Sequence, residues 1–234
     1  MIDFSQRSNQ TEIMDDLQCQ GEVVHQTLRE LEFINLWLGG NAITLTGIKK
    51  LVRGHEKETI TIIDLGCGSG NILRILANWG RKNNYTFKLT GIDANPHIIE
   101  FAREQHKDYP EIYFETLNVL SPEFQMRRFD IVTGTLFYHH FHSEELVHFF
   151  SSLKNQVRIG LLINDIHRHW LAYHSIRMLT KYFSRSAMVR FDAPLSVLRA
   201  FTGEELKEIC RRAGIESYQL HWKWAFRWQL LAQF

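Results

Sequence analysis

Thr59-Ile-Thr-Ile-Ile-Asp64-Leu-Gly66-Cys-Gly68-Ser-Gly70-Asn71-Ile72 is the stretch that decides the fold. A β-branched run ends in three alternating glycines, and a helical pattern follows to Trp79, with Gly80 as its expected stop. Strand, glycine turn and helix in that order open a unit that continues into a parallel sheet. Glycines in the turn permit backbone angles that other residues resist and let a ligand approach the main chain. The helix behind them offers free N–H groups and the positive end of its dipole.

Working outward, further strands are expected at 85–92, 112–117, 129–133 and 159–164, the last almost wholly apolar, as a strand buried on both faces should be. Asn95-Pro96 starts one intervening helix, with Asn as cap and Pro at the first helical position, and Ser143-Glu-Glu-Leu opens another to about 157. This alternation predicts an α/β fold with a Rossmann-like, doubly wound sheet whose ligands lie at the carboxyl ends of the strands. The pattern changes after the fifth strand. Residues 167–200 read as mainly helical, Thr202-Gly-Glu-Glu205 is a capping box for a helix ending at Gly214, and 215–233 read as two strands around Trp224. Upstream, 12–38 carry apolar residues at helical spacing (Val24, Leu28, Leu31, Ile34, Leu38), and a second helix follows at about 42–53. With no repeat or linker, 1–234 is expected to be one domain: a helical cap (1–58), a ligand-binding core (59–166), a helical insertion over the second ligand (167–200) and a closing helix with two strands (201–234).

Of the 234 residues, 44% are hydrophobic and 23% charged, which excludes a disordered chain. A net charge of +1 gives no global case for nucleic acid. No apolar run approaches the roughly 18–20 residues needed to cross a bilayer, and the first residues lack a signal-peptide core, so a cytoplasmic protein is expected. The three cysteines, Cys19, Cys67 and Cys210, form no CxxC pair and indicate neither a disulfide framework nor a zinc site.

The glycine loop differs from its rivals. A phosphate-cradling loop wants Gly-Lys-Ser/Thr where Gly70-Asn71-Ile72 stands, and the dinucleotide pattern wants glycine at position 71. Asp64 precedes the glycines, and a carboxylate there repels a pyrophosphate but suits a ligand that carries an ammonium and a sulfonium. Asp93, at the end of the second strand, offers two acceptor oxygens to a ribose diol. Capping of the next helix does not require it, because Asn95 already does that.

Three stretches, 62–77 (IIDLGCGSGNILRILA), 91–104 (GIDANPHIIEFARE) and 129–141 (FDIVTGTLFYHHF), resemble successive motifs of class I S-adenosylmethionine-dependent methyltransferases. The resemblance covers about 60–165 and implies a seven-stranded sheet with its last strand antiparallel. It also implies that Asp64 and Gly66 border the methionyl group, that Gly68 and Gly70 shape the loop, and that Asp93 holds the ribose. Ala94, Asn118, Val119 and Thr135 complete the implied S-adenosylmethionine site. Asn118 stands where the family usually has an Asp facing the adenine amino group; it keeps an acceptor oxygen but no charge.

Two clusters could serve the acceptor. His139 aligns with the general base of plant-type phenolic O-methyltransferases, although His140 and Phe141 replace that family's Asp and Trp; the other reading is loop histidines that cap the next helix or pack at the rim. Asp165 and His167 follow the fifth strand at the same sheet edge, where an Asp can orient a His or hold a substrate hydroxyl, or where Asp165 caps the next helix beside a surface basic turn. No metal site is expected, because adjacent His139 and His140 should diverge and no carboxylate is near them in sequence. Cys67 reads as a small residue in a tight turn. Arg158, Arg168, Arg177, Lys181, Arg185, Arg190 and Arg199 read as a solvated basic face, or as a mouth for an acidic or carrier-tethered acceptor. Trp222, Trp224, Phe226 and Trp228 are expected to pack in the core, with a flat aromatic acceptor pocket as the alternative. The expected activity is methyl transfer to a small aromatic or polyketide-like acceptor, with O-methylation favoured. The alternatives are C-methylation of a quinone precursor and a non-catalytic cofactor-binding protein. A nucleic-acid amino-methyltransferase is disfavoured by Thr133-Gly134-Thr135-Leu136 after the fourth strand, and a nicotinamide oxidoreductase by Asp64 and Asn71.

Overall fold

The computed structural model describes residues 2–234. Seven strands form one sheet: β1 (Thr59–Leu65), β2 (Thr86–Asp93), β3 (Ile112–Thr116), β4 (Phe129–Thr135), β5 (Val157–Ile166), β6 (Tyr218–Lys223) and β7 (Arg227–Gln233). Their order is β3-β2-β1-β4-β5-β7-β6, and only β7 runs against its neighbours. Helices α1 (Glu22–Trp37), α2 (Gly40–Leu51), α3 (Asn71–Asn83), α4 (Pro96–Gln105), α5 (Pro122–Gln125) and α6 (Ser143–Leu153) precede β5. After it come α7 (Trp170–Phe183), α8 (Ala187–Arg199) and α9 (Gly203–Arg212).

The alternation of side chains along each strand sorts the core into two layers. Ile62 and Leu162 pack with Ile48 and Leu51 of α2 and with Leu73 and Leu76 of α3. Their neighbours Ile63 and Leu161 face the other way, onto Phe150 of α6 and Leu206 of α9. β1 pairs with β2 on one side and β4 on the other, so successive connections leave in opposite directions and open a crevice at the strand ends.

Several boundaries differ from expectation. The segment expected to be one helix over 12–38 has a single 3₁₀ turn at Ile13–Asp15, and α1 begins only after Gly21, whose φ is +79°. Gly80 does not stop α3; it lies inside the helix because the Phe87 ring fills the place of its Cβ, and Asn84 (φ +59°) supplies the left-handed end. β5 runs on to Ile166, so Asp165 is a strand residue and not a helix cap; His169 caps α7 by accepting from Leu171 N at 3.2 Å. Asn95 caps α4 as expected, its Oδ1 accepting from His97 N at 2.9 Å.

The junction of β5 with β7 tolerates no added atom at Gly160. A Cβ there would fall on the carbonyl oxygen of Ala232, which the paired strand holds in place. Gly160→Ala is expected to lower stability by about 1–3 kcal/mol, read as an earlier urea midpoint with an unchanged slope; an unmoved midpoint would show that the two strands can part at no cost.

Candidate active site

The glycine loop follows from two local constraints. Gly66 (φ +61°) lies under the ring of Phe137, which comes from the loop after β4 and occupies the place of a Cβ. Gly68 (φ +52°) turns its N–H to within 3.4 Å of Asp93 Oδ2. Asp93 also accepts from Asn95 N at 3.0 Å, which fixes its carboxylate at the mouth of the loop.

Asp64 is buried, and its Oδ1 has no hydrogen-bond partner. Burial, aided by the nearby Asp93, pushes its pKa up to about 8; burial raises Asp93 as well. Two destabilised carboxylates beside a loop of main-chain N–H groups lack a cationic partner and a polyol, which are the features of an amino-acid nucleoside. The residues present therefore fit S-adenosylmethionine. Asp64, Gly66, Gly68, Asp93, Ala94, Asn118, Val119 and Thr135 all line one cavity of about 1030 Å³. Single small-molecule sites span about 300–1,000 Å³, so this one has room for a second ligand. Gly70 shapes the turn from outside that lining, with Phe114 and His106 packed where its Cβ would be.

Two of these residues already have work. Asn118 Oδ1 accepts from Leu120 N at 2.9 Å, so the loop itself uses the oxygen that would face an adenine. Thr135 shares a 2.8 Å hydrogen bond with Thr44 of α2.

The far end of the cavity is built around Asp165. Its Oδ2 accepts from Tyr138 N (2.9 Å) and His139 N (3.1 Å), while Oδ1 accepts from Ile166 N and His139 Nδ1, both at 2.7 Å. Burial opposes its charge, but His139 and these donors outweigh it and hold Asp165 below the usual carboxylate range. An acceptor at Nδ1 leaves the His139 lone pair on Nε2, which has no hydrogen-bond partner and lies 3.6 Å from Glu12 Oε1. Burial pushes Glu12 up to about 7. His140 Nδ1 pairs with Asp15 Oδ1 at 2.6 Å, and Asp15 also binds Arg199.

Asp165 is thus joined to His139 and not to His167. His167 does not line the cavity; it takes a bond from Trp222 Nε1 at 3.2 Å and lies against Trp228. The parallel register of β4 with β5, Thr135 opposite Asn164, is what brings 139 and 165 together. The two histidines do not diverge either: a 3₁₀ turn at Tyr138–His140 sets their rings 4.4 Å apart, with Glu12 supplied from far upstream. Glu12 and Asp15 carry no local signal in the chain, and Arg199, expected on a basic face or mouth, pairs with Asp15 instead.

Other expectations change with burial. Arg168 and Arg199 are no part of a solvated face, since both are buried; Arg168 binds Glu205 through two bonds of 2.7 and 2.8 Å. Trp222 and Trp224 are exposed, and Trp224 and Phe226 line the cavity instead of the core. Burial raises the Cys67 thiol well above its ordinary range, which keeps it un-ionised. Among the described residues, no helix is long and apolar enough to cross a membrane.

Residues 62–160 match the family model described as a methyltransferase domain. No curated protein is significantly similar in sequence. Among solved structures, a SAM-dependent methyltransferase from Aquifex aeolicus is 17% identical with a TM-score of 0.62, over 88% of this chain and 96% of that one. Human N-acetylserotonin methyltransferase, solved with SAM, is 16% identical with a TM-score of 0.64, over 92% of this chain and 56% of that one. Magnesium protoporphyrin IX methyltransferase from Synechocystis is 14% identical with a TM-score of 0.57, over 94% and 88%. The chain spans little more than half of the human enzyme's length. Strand order and an acid-led glycine loop agree with the match over residues 62–160: the fold is that of the solved S-adenosylmethionine-dependent methyltransferases.

Proposed function

We propose that the protein transfers a methyl group from S-adenosylmethionine to the hydroxyl of a small aromatic or polyketide-like acceptor. The observation that carries this reading is the buried His139–Asp165 pair: Nε2 has no hydrogen-bond partner among the described residues, and His139 lines the same cavity as Asp64 and Asp93. When bound, the cofactor supplies a methyl already activated on a sulfonium, so the protein's part is alignment, a dry site and management of the acceptor's proton. A phenol with a pKa of about 10 is mostly un-ionised at neutral pH. Nε2 is the atom placed to take its proton, and Asp165 stabilises the imidazolium that forms. Trp224 and Phe226 at the cavity wall favour a flat acceptor. Arg177, Lys181 and Arg185 are exposed on and beyond α7, which leaves room for an acidic or carrier-tethered acceptor at the surface.

Three outcomes test the reading. Asp93→Ala should weaken binding of the demethylated cofactor by about 1–3 kcal/mol, the loss of charge-assisted hydrogen bonds to a diol; calorimetry giving wild-type affinity in a folded variant would remove that assignment.

Binding should also depend on pH. Asp64 holds a proton below about 8 in the free protein. A bound ammonium favours the carboxylate and expels that proton, so affinity rises between about pH 6 and about pH 7.5, at most tenfold per unit. An affinity that falls over that range would separate Asp64 from the ammonium.

His139→Ala is expected to lower turnover by about 10²–10⁴-fold while leaving affinity for the demethylated cofactor unchanged. Identification of a C-methylated product, or cofactor binding with no transfer to any phenolic acceptor, would replace O-methylation by one of the other readings.

A further inference from the structure

The groups around His139 Nε2 form a set that a lone general base does not need. Nε2 and Glu12 Oε1 are both buried, stand 3.6 Å apart and have no hydrogen-bond partners. With a ring nitrogen of His140 they make three ligand atoms within 4.8 Å of one another. We propose that Glu12, His139 and His140 form a binding site for a divalent first-row transition-metal ion, of which zinc and cobalt are the direct probes.

Spacing, ring orientation and position support this. Ligands at about 2.0–2.2 Å from zinc in tetrahedral array lie about 3.4 Å from one another, close to the observed separation of nitrogen and oxygen. A histidine that ligates a metal through one nitrogen characteristically gives its other N–H to a carboxylate, which fixes the ring. Both rings here do so: His139 Nδ1 to Asp165 at 2.7 Å and His140 Nδ1 to Asp15 at 2.6 Å. Two imidazoles and one carboxylate are a donor set suited to zinc, iron, cobalt or nickel and leave coordination positions open. All three residues line the cavity that also holds Asp64 and Asp93. The nearest fixed cation, Arg199, lies 3.6 Å from Glu12 Oε1 and is itself paired with Asp15.

An ion at this place would lower the pKa of an acceptor hydroxyl bound to it, as a bound ion does for water, so that the hydroxyl gives its proton to solvent before the methyl group is transferred. His139 Nε2 would then be a ligand and not the base. The inference thus goes beyond the proposed reaction, and the two uses of that lone pair are exclusive.

The test is a titration of the full-length, tag-free protein with Co²⁺ and then Zn²⁺ after dialysis against a chelator. The expected result is one saturable equivalent, visible d–d absorption from bound cobalt, and displacement of that absorption by zinc. Glu12→Gln and His140→Ala should each abolish the band, and Asp15→Asn should weaken binding by about 10–100-fold. Thermal melting and affinity for the demethylated cofactor, measured on the same samples, show whether each variant is folded and judge the cofactor site separately. No saturable equivalent in the wild type at millimolar ion overturns the proposal, whatever the variants do. So does binding that survives both ligand substitutions, because it would come from surface histidines. Methyl transfer that persists with no ion bound leaves the imidazole as the base.

Discussion

A single carboxylate, that of Asp165, fixes the chemistry-bearing end of this molecule. It lies on β5, fully buried, and accepts from the main chain of Tyr138, His139 and Ile166 and from the His139 ring. A buried charge is tolerated only when it is paired and hydrogen-bonded, and four donors meet that need. In doing so they hold the loop after β4 against β5 and set which imidazole nitrogen keeps its lone pair. Arg227 on the adjacent β7 is also buried, and burial lowers its pKa to about 10 while the charge of Asp165 opposes the fall. The antiparallel closing strand therefore contributes to the site's electrostatics as well as to the sheet.

The opposite end of the cavity follows a contrary rule. Burial raises the pKa of both Asp64 and Asp93, and the nearby Asp93 adds to the rise at Asp64. A cationic ligand opposes that rise, whereas a pyrophosphate would add to it. One end of the cavity is thus internally neutralised and rigid, and the other is completed by what binds there.

The N-terminal segment, which contains only the 3₁₀ turn at Ile13–Asp15, lines the cavity and is held there by long-range polar contacts. Arg7 donates to the carbonyls of His139 (2.9 Å) and Phe141 (2.8 Å), and Asp192 of α8 accepts from Ile13 N (2.8 Å) and Met14 N (3.1 Å). These bonds carry Glu12 and Asp15 onto the histidine pair. The segment supplies part of the site's wall and two of its carboxylates.

The chain by itself determined the sheet, because β-branched runs, glycine turns and capped helices are local signals that the tertiary fold reinforced. It also marked Asp64, Gly66, Gly68 and Asp93 as one group, since they lie on a single strand–turn–helix–strand unit whose parallel pairing of β1 with β2 brings both strand ends to the same edge. The acceptor end was only half legible. His139 and Asp165 could each be singled out as polar residues at strand ends, but their pairing depends on the β4–β5 register. His139 and His140 are adjacent in sequence and would diverge in an extended chain; the 3₁₀ turn sets their rings side by side. Glu12, Asp15 and Arg199 reach that place by long-range closure. Which distant polar groups share a buried volume is decided by packing and by the need to pair each buried charge, and neither leaves a periodicity in sequence.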